Sequence, residues 1–397
     1  MARIVLGVSG GIAAYKACEL LRLLTESGHH VRVVPTEAAL RFVGAPTWEA
    51  LSGQPVATGV WDDVPHVPHV KLGQSADLVL VAPATADLLA RAAHGLADDL
   101  LTSTLLTARC PVVFAPAMHT EMWEHPATAD NVATLRRRGA VVIEPAVGRL
   151  TGVDTGKGRL PDPAQIYAVA LRVLARGAQP AADLAGRHVV VTAGGTREPL
   201  DPVRYLGNRS SGKQGYAFAR TAVARGARVT LVAANVALDT PAGVDLVRVG
   251  STAELREAVL AAAHDADAVV MAAAPADFRP AVYADQKIKK RDDGAVPVIE
   301  LAVNPDIAAE IGANKRPGQV LVAFAAETHD AIAHAGVKLQ RKRADLIVVN
   351  EVGTDKVFGA DDNQAVILGA DGTRVDLPSQ RKEDLADAVW DRVAALL

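Results

Sequence analysis

Residues 3 to 16 read RIVLGVSGGIAAYK. An apolar run breaks into a turn of small residues and glycines, and an apolar-periodic segment follows from about Ala13 to Glu26, stopped by Ser27 and Gly28. The next run, HVRVVPT at 30–36, completes a β-α-β unit. ADLVLVAPA at 76–84, CPVVFAPA at 110–117 and AVVIEPA at 140–146 continue the pattern. None of these runs alternates with polar residues, so they predict parallel strands covered on both faces. From Arg187 the grammar restarts: HVVVTAGGT predicts a strand, GKQGYAFARTAVARGA a helix and RVTLVAANV the next strand. ADAVVMAAA (266–274), GQVLVAFAAE (318–327) and ADLIVVNEV (344–352) follow as further strands. The expectation is two Rossmann-like α/β domains, each a three-layer fold with a mostly parallel sheet.

Length agrees, because 397 residues exceed one comfortable core and suit two domains of roughly 150–200 residues. RGAQPAADLAG at 176–186 is small, contains proline and has no helical stripe, so it reads as a domain linker or a tight helix-to-strand connection. Half the residues are apolar and the net charge is −3 with signs interspersed, which argues against a nucleic-acid or membrane partner. The two cysteines, Cys18 and Cys110, have no paired spacing, so neither a disulfide framework nor a zinc site is expected. The N-terminus lacks a signal-peptide pattern and no stretch approaches the roughly 20 apolar residues of a membrane span. A cytoplasmic protein is the expectation.

Two turns stand out as anion cradles. SGGIAAYK (9–16) follows a strand and opens a helix, where free backbone N–H groups and the helix dipole attract a phosphate. Its glycines do not have G-x-G-x-x-G spacing. GNRSSGKQG (207–215) is one residue from a P-loop, with Gln214 where Ser or Thr is needed. It also stands about fifteen residues beyond its strand, where a P-loop permits only a handful. Ser210, Ser211, Gly212 and Lys213 still offer hydroxyls, N–H groups and a cation at a helix start. Downstream, AAAPADFRP places Asp277 after a strand and QKIKK clusters lysines at 287, 289 and 290; such a run is either a solvated surface or a triphosphate clamp. A tandem nicotinamide dehydrogenase is excluded, since neither cradle has the required glycine spacing followed by an acidic residue.

SGGIAAYK, TEAA (36–39), PATADL (83–88) and PAMHTEMW (116–123), in that order, resemble the flavin-containing cysteine decarboxylases. The resemblance implies a flavodoxin-like domain over 1–180 that binds FMN through Ser9, Gly10, Gly11, Ile12, Thr36, Pro83, Ala84, Thr85 and Met118. It makes His69, in HVKLGQSAD, the catalytic histidine; on composition alone His66 competes. Where the family usually has asparagine this chain has His119, expected to hold the substrate carboxylate. The segment 148–163 matches the flap in which the bacterial enzymes carry a proton-donating cysteine, and here there is none; Asp154, Thr155, Lys157 or a water held by one of them are the replacements considered.

The second half resembles the phosphopantothenate–cysteine ligases, on GNRSSGK, AAAPADF, VNPDIAAE (303–310), FAAET (324–328) and KLQRKRADLIVVN (338–350). This implies a CTP-dependent ligase over 187–397, acting through an acyl-cytidylate, with Asn208 and Lys287 catalytic. The CTP site would comprise Ser210, Ser211, Gly212, Lys213, Asp277, Lys287, Pro305, Asp306, Ile307, Ala308, Phe324, Lys338 and Lys342. Magnesium should assist, its ligands unassigned. Decarboxylase followed by ligase is similar to the bifunctional family of coenzyme A biosynthesis, and so implies 4′-phosphopantothenate, cysteine and CTP as substrates and a homo-oligomer. A flavin-binding regulatory protein is the alternative, and it would need neither the lysine cluster nor Asn208.

Overall fold

The computed structural model describes residues 1–56, 67–150, 154–176, 182–289, 296–327, 330–351 and 362–397. These form two compact units: residues 1–186 with Val223–Arg228 and Pro241–Gly243, and the remainder from Arg187 to Leu397.

In the first unit, strands β1 (Arg3–Val8), β2 (His30–Pro35), β3 (Leu78–Ala84), β4 (Val112–Pro116) and β5 (Val141–Val142) form a parallel sheet in the order β2-β1-β3-β4-β5. Every residue of β3 is buried, as its unbroken apolar run requires of a strand covered on both faces. One face packs on helices Ala86–His94, Leu100–Thr107 and Pro126–Arg137, burying Leu88, Leu89, Leu101 and Val132 against Val79, Val81 and Phe114. On the other, helix Lys16–Glu26 lies beside Ala45–Ser52 and Pro163–Ala175. The expected strand at 140–146 contributes only two residues to the sheet. The chain then turns into an antiparallel hairpin, β6 (Ala146–Arg149) and β7 (Thr155–Arg159).

The second unit has an eight-stranded sheet built from β8 (His188–Gly194), β11 (Arg228–Ala234), β12 (Val244–Val249), β13 (Ala268–Met271), β16 (Val320–Glu327), β17 (Leu346–Glu351), β18 (Asp362–Gly369) and β19 (Arg374–Arg381). Two ribbons, β9 (Arg197–Pro199) with β10 (Tyr205–Gly207) and β14 (Phe278–Pro280) with β15 (Leu301–Val303), stand apart from it. The order β12-β11-β8-β13-β16-β17-β18-β19 is parallel through β17, and β18–β19 add an antiparallel hairpin at one edge. One face packs on helices Thr252–Ala263, Ile307–Ala313 and Ala331–Arg341. Helices Lys213–Ala224 and Lys382–Leu396 meet through Phe218 and Trp390, whose rings are 5.6 Å apart and nearly perpendicular. The Trp390 indole N–H donates to Phe218 O at 3.1 Å. Among the described residues no helix is long and apolar enough to cross a membrane.

Two candidate sites at the sheet switch points

In open parallel sheets ligands bind beyond the carboxyl ends of the strands where the strand order reverses. In the first unit that point lies between β1 and β3, and a cavity of about 770 Å³ opens there. Gly10, Gly11, Ile12, Pro83, Thr85, Met118 and His119 all line it. Gly10 is required by closeness: a Cβ there would sit 2.3 Å from the Ala38 Cβ, which accounts for the small residues of TEAA. Gly11 faces open space, with Thr85 Cγ2 its nearest neighbour at 3.8 Å.

Three of the expected flavin contacts, Ser9, Thr36 and Ala84, are not among the residues lining the cavity. Ser9 is 2% exposed; its hydroxyl donates to Pro83 O at 2.7 Å and accepts from Thr85 N at 2.9 Å. It stitches the β1 and β3 loops together and does not line the cavity. Thr36 is spent as a helix cap, accepting from Ala39 N, and Ala84 is fully buried. Three cations that the sequence reading passed over do line it, Lys16, Arg149 and Arg159. Lys16 closes the quoted motif, so its position was readable, but not its direction. Burial and then the Arg159 charge lower its pKa, against Asp162 and Glu19.

The flap is the β6–β7 hairpin. Met118 N donates to Gly158 O at 2.9 Å, and a Cβ on Gly158 would lie 2.3 Å from Met118 O, so the hairpin rests directly on the Met118–His119 loop. None of the three proposed proton donors lines the cavity. Asp154 and Thr155 are exposed, and Lys157 pairs with Glu144 at 2.9 Å. Burial resists ionisation of Glu144, yet Arg136 and Lys157 together hold its carboxyl below the usual range. His69 is also placed apart from the cavity. It sits in the first turn of helix Pro68–Ser75, its carbonyl accepting from Thr107 Oγ1 at 2.7 Å and its Nδ1 buried without a partner among the described residues. His66 lies outside the described residues. Cys18 and Cys110 stand apart from the cavity too, and burial raises both thiols.

The second unit reverses its order between β8 and β13, and a cavity of about 1070 Å³ lies there. The two strand ends are zipped together: Thr192 Oγ1 accepts from Ala273 N at 2.9 Å and Thr196 Oγ1 from Ala276 N at 2.8 Å. Asn208 clasps the same loop, its amide donating to Pro275 O at 2.8 Å. Asn208, Ser210, Ser211, Gly212, Lys213, Asp277, Pro305, Asp306, Ile307, Ala308, Phe324, Lys338 and Lys342 line one cavity. Six cationic side chains, counting Arg209, Arg341 and Lys382, face it against two carboxylates. Such a surface attracts a polyanion.

The structure explains the departures from a P-loop. The β9–β10 ribbon is inserted between the strand and the helix. Gln214 donates to Lys382 O at 3.2 Å, so this position joins two helices. Ser210 and Ser211 accept from Gly212 N and Lys213 N at 3.3 and 3.5 Å and so cap their own helix. Lys342 is already paired, with Nζ 2.5 and 2.7 Å from the two Asp306 oxygens. Burial opposes ionisation of Asp306; Lys342, the Ala309 N–H and Arg341 outweigh it and lower its pKa.

Lys287 departs from expectation, being exposed and outside the cavity lining. Its neighbour Ile288 donates from N to Asp201 at 3.1 Å, and the Arg204 guanidinium donates to Ile288 O. This anchors the lysine segment on the β9–β10 turn. Burial opposes the charge on Asp201, but N–H groups of Val203, Ile288 and Arg204 and the Arg204 guanidinium push its pKa down to about 2. A carboxyl depressed in the folded state stabilises above its unfolded value, 3.8, and loses that contribution as pH falls through about 2. The expected result is that urea midpoints of wild type and Asp201→Asn differ above pH 3.8 and converge as pH approaches 2; a constant difference would contradict it. Asn350, Asn363 and Lys382 line the cavity unforeseen, because only tertiary pairing brings β18 and the last helix there.

Residues 1–174 match the Flavoprotein family model, and residues 184–397 match that of the DNA/pantothenate metabolism flavoprotein C-terminal domain. The coenzyme A biosynthesis bifunctional protein CoaBC of Mycobacterium tuberculosis (strain ATCC 25618 / H37Rv) is 60% identical over 405 residues, covering 100% of this chain and 97% of the relative. CoaBC of Bacillus subtilis (strain 168) is 45% identical over 397 residues, covering 99% and 97%. A crystal structure of the C-terminal domain of a CoaBC covers 54% of this chain and 97% of its own, at 35% identity and a TM-score of 0.46. Matched end to end at these identities, the chain belongs to the CoaBC family, bifunctional enzymes of coenzyme A biosynthesis that join phosphopantothenate to cysteine and decarboxylate phosphopantothenoylcysteine.

Proposed function

We propose that residues 187–397 form the ligase domain and residues 1–180 the decarboxylase domain, each reaction occurring in the cavity at its own switch point. The observation that carries this reading is the pair of chemically different cavities, one strongly cationic and the other apolar-walled with three cations at its rim. In the ligase cavity the 4′-phosphopantothenate carboxylate attacks the α-phosphate of CTP, and the cysteine amine then displaces CMP from the acyl-cytidylate. Lys213, Lys338 and Lys342 offset triphosphate charge and favour departure of pyrophosphate. Among the described residues no cluster of three metal-ligating side chains occurs, which suits magnesium carried mainly by the triphosphate, with Asp277 as the cavity carboxylate that has no ion pair. Asn208 orients the activated carboxylate by donating its second amide N–H to it, the first being given to Pro275 O.

The first cavity fits FMN. Gly10 and Gly11 form a cradle whose backbone sits so close to Ala38 that Gly10 has no room for a Cβ; Ile12, Pro83 and Met118 give apolar walls, and Lys16, Arg149 and Arg159 face anions. When bound, FMN accepts and returns the hydride that makes loss of carbon dioxide possible. This chain's residues hold the substrate's anionic groups and manage its protons; His69, which the family resemblance makes the base for the thiol, stands outside the lining of this cavity. A homo-oligomer and a cytoplasmic location belong to the same reading. Purified protein is expected to be yellow, releasing FMN and not FAD. Incubated with 4′-phosphopantothenate, cysteine, CTP and magnesium, it should yield 4′-phosphopantetheine by mass spectrometry. Colourless protein that does not take up FMN, or no CTP-dependent product, would refute the corresponding half.

A further inference from the structure

The decarboxylase reading leaves one proton without a donor. Loss of carbon dioxide from the oxidised substrate leaves an ene-thiolate, and the carbon that carried the carboxylate must gain a proton before the final hydride return. The flap replacements do not qualify. Asp154 and Thr155 are exposed outside the cavity, and Lys157 is held by Glu144.

Among the described lining residues only Tyr15, Lys16 and His119 carry a proton that a side chain can give up, since arginine stays charged. Tyr15 is 59% exposed. The side-chain type that donates most readily near neutral pH is imidazole. His119 follows β4 directly, is half-buried, and makes no side-chain hydrogen bond among the described residues, not even as the cap of helix Thr120–Glu124. Its loop is fixed by the flap through Met118 N to Gly158 O, so the imidazole is aimed by backbone and free at its nitrogens.

Resting on the decarboxylase reading, we infer that His119 is the general acid that protonates the ene-thiolate carbon, in place of any flap residue. The imidazolium N–H bond breaks and a C–H bond forms at the carbon that lost carbon dioxide. The C=C electron pair makes that bond, the sulfur lone pair closes to C=S, and neutral imidazole is left. No electrons are exchanged in this step. Bound FMN, in its reduced form, would supply the hydride that turns this thioaldehyde into the thiolate of the product, which takes a proton from solvent. The negative charge on the ene-thiolate favours the protonated imidazole beside it at the moment it is needed. Lys16, Arg149, Arg159 and Tyr15 face the same cavity; the three cations hold the anion, and neither arginine competes as an acid.

The test uses the full-length holoenzyme of His119→Asn and His119→Gln, given 4′-phosphopantothenoylcysteine without oxygen. Wild type should release the saturated thiol. Both variants should shift the ratio of saturated product to the product two hydrogens lighter by about 10²-fold or more, with flavin remaining reduced. Retained flavin absorbance and CTP-dependent ligation establish that the variants are folded. A second readout is independent of turnover: in the wild-type holoenzyme, the His119 ring resonances should move when 4′-phosphopantetheine is added. An unchanged product ratio in both variants, equal loss of both products, or His119 ring resonances indifferent to the ligand would overturn the assignment. Failure of wild type to consume the substrate would instead refute the decarboxylase reading itself.

Discussion

Gly215→Val should abolish ligation and leave decarboxylation intact. A Cβ at Gly215 would lie 2.5 Å from both the Ala193 Cβ and Thr192 O, and 2.9 Å from the Ala193 Cα. These are parts of β8, a fully buried central strand that cannot retreat. The start of helix Lys213–Ala224 must therefore lift, and with it Ser210 to Lys213, which face the ligase cavity from that turn. A displacement of about 1 Å at positioned groups costs on the order of 10²-fold in rate. Overpacking adds about 1–3 kcal/mol of destabilisation, spread over a helix that buries Tyr216, Phe218 and Ala219. All residues lining the decarboxylase cavity belong to the other compact unit, so that activity is the internal control. Both activities measured on one preparation, alongside circular dichroism, decide it. Ligation near the wild-type rate would show that the helix start does not position the nucleotide.

How far the sequence announces this architecture depends on burial. Strands β3 and β13 are apolar from end to end, and β1 and β8 nearly so, because both faces are covered, and their runs stand out. Strand β12 has the alternating exposure of an edge, and the β18–β19 hairpin owes its place to pairing with β17; neither was foreseen. The same division holds at the sites. Gly10 and Gly212 mark their cradles because no other residue has room, and that constraint is visible in one chain. The opposite outcome at Ser9 and Lys287 has a tertiary cause. Ser9 gives its hydroxyl to Pro83 O on the neighbouring strand and does not line the cavity, and the Lys287 segment is held by Asp201, eighty-odd positions away. Motif position specifies which residues gather at a switch point; it does not specify where a side chain's hydrogen bonds go.

The ion pair between Lys342 and Asp306 makes the second large effect one of opposite signs. Lys342 is 14% exposed at its side chain and touches both Asp306 oxygens, so part of its charge is already neutralised. Lys342→Ala removes a cation and also unmasks a carboxylate facing the triphosphate, leaving Asp306 with Arg341 at 3.3 Å and the Ala309 N–H. Losing one charge-assisted contact to a phosphate costs about 1.5–3 kcal/mol, so CTP affinity should fall roughly 10- to 100-fold. Asp306→Asn acts the other way. Asparagine still accepts from Ala309 N as the cap of helix Ile307–Ala313, while the ammonium of Lys342 loses its competitor for phosphate. CTP should then bind as tightly as in wild type or several-fold more tightly. Salt separates the two cases further, since a screened surface pair would respond to ionic strength and a recessed one much less. Calorimetric titration of CTP into both variants at two salt concentrations measures this directly. If both substitutions weaken CTP to the same degree, the pair acts as a single structural strut and Lys342 is not a triphosphate ligand.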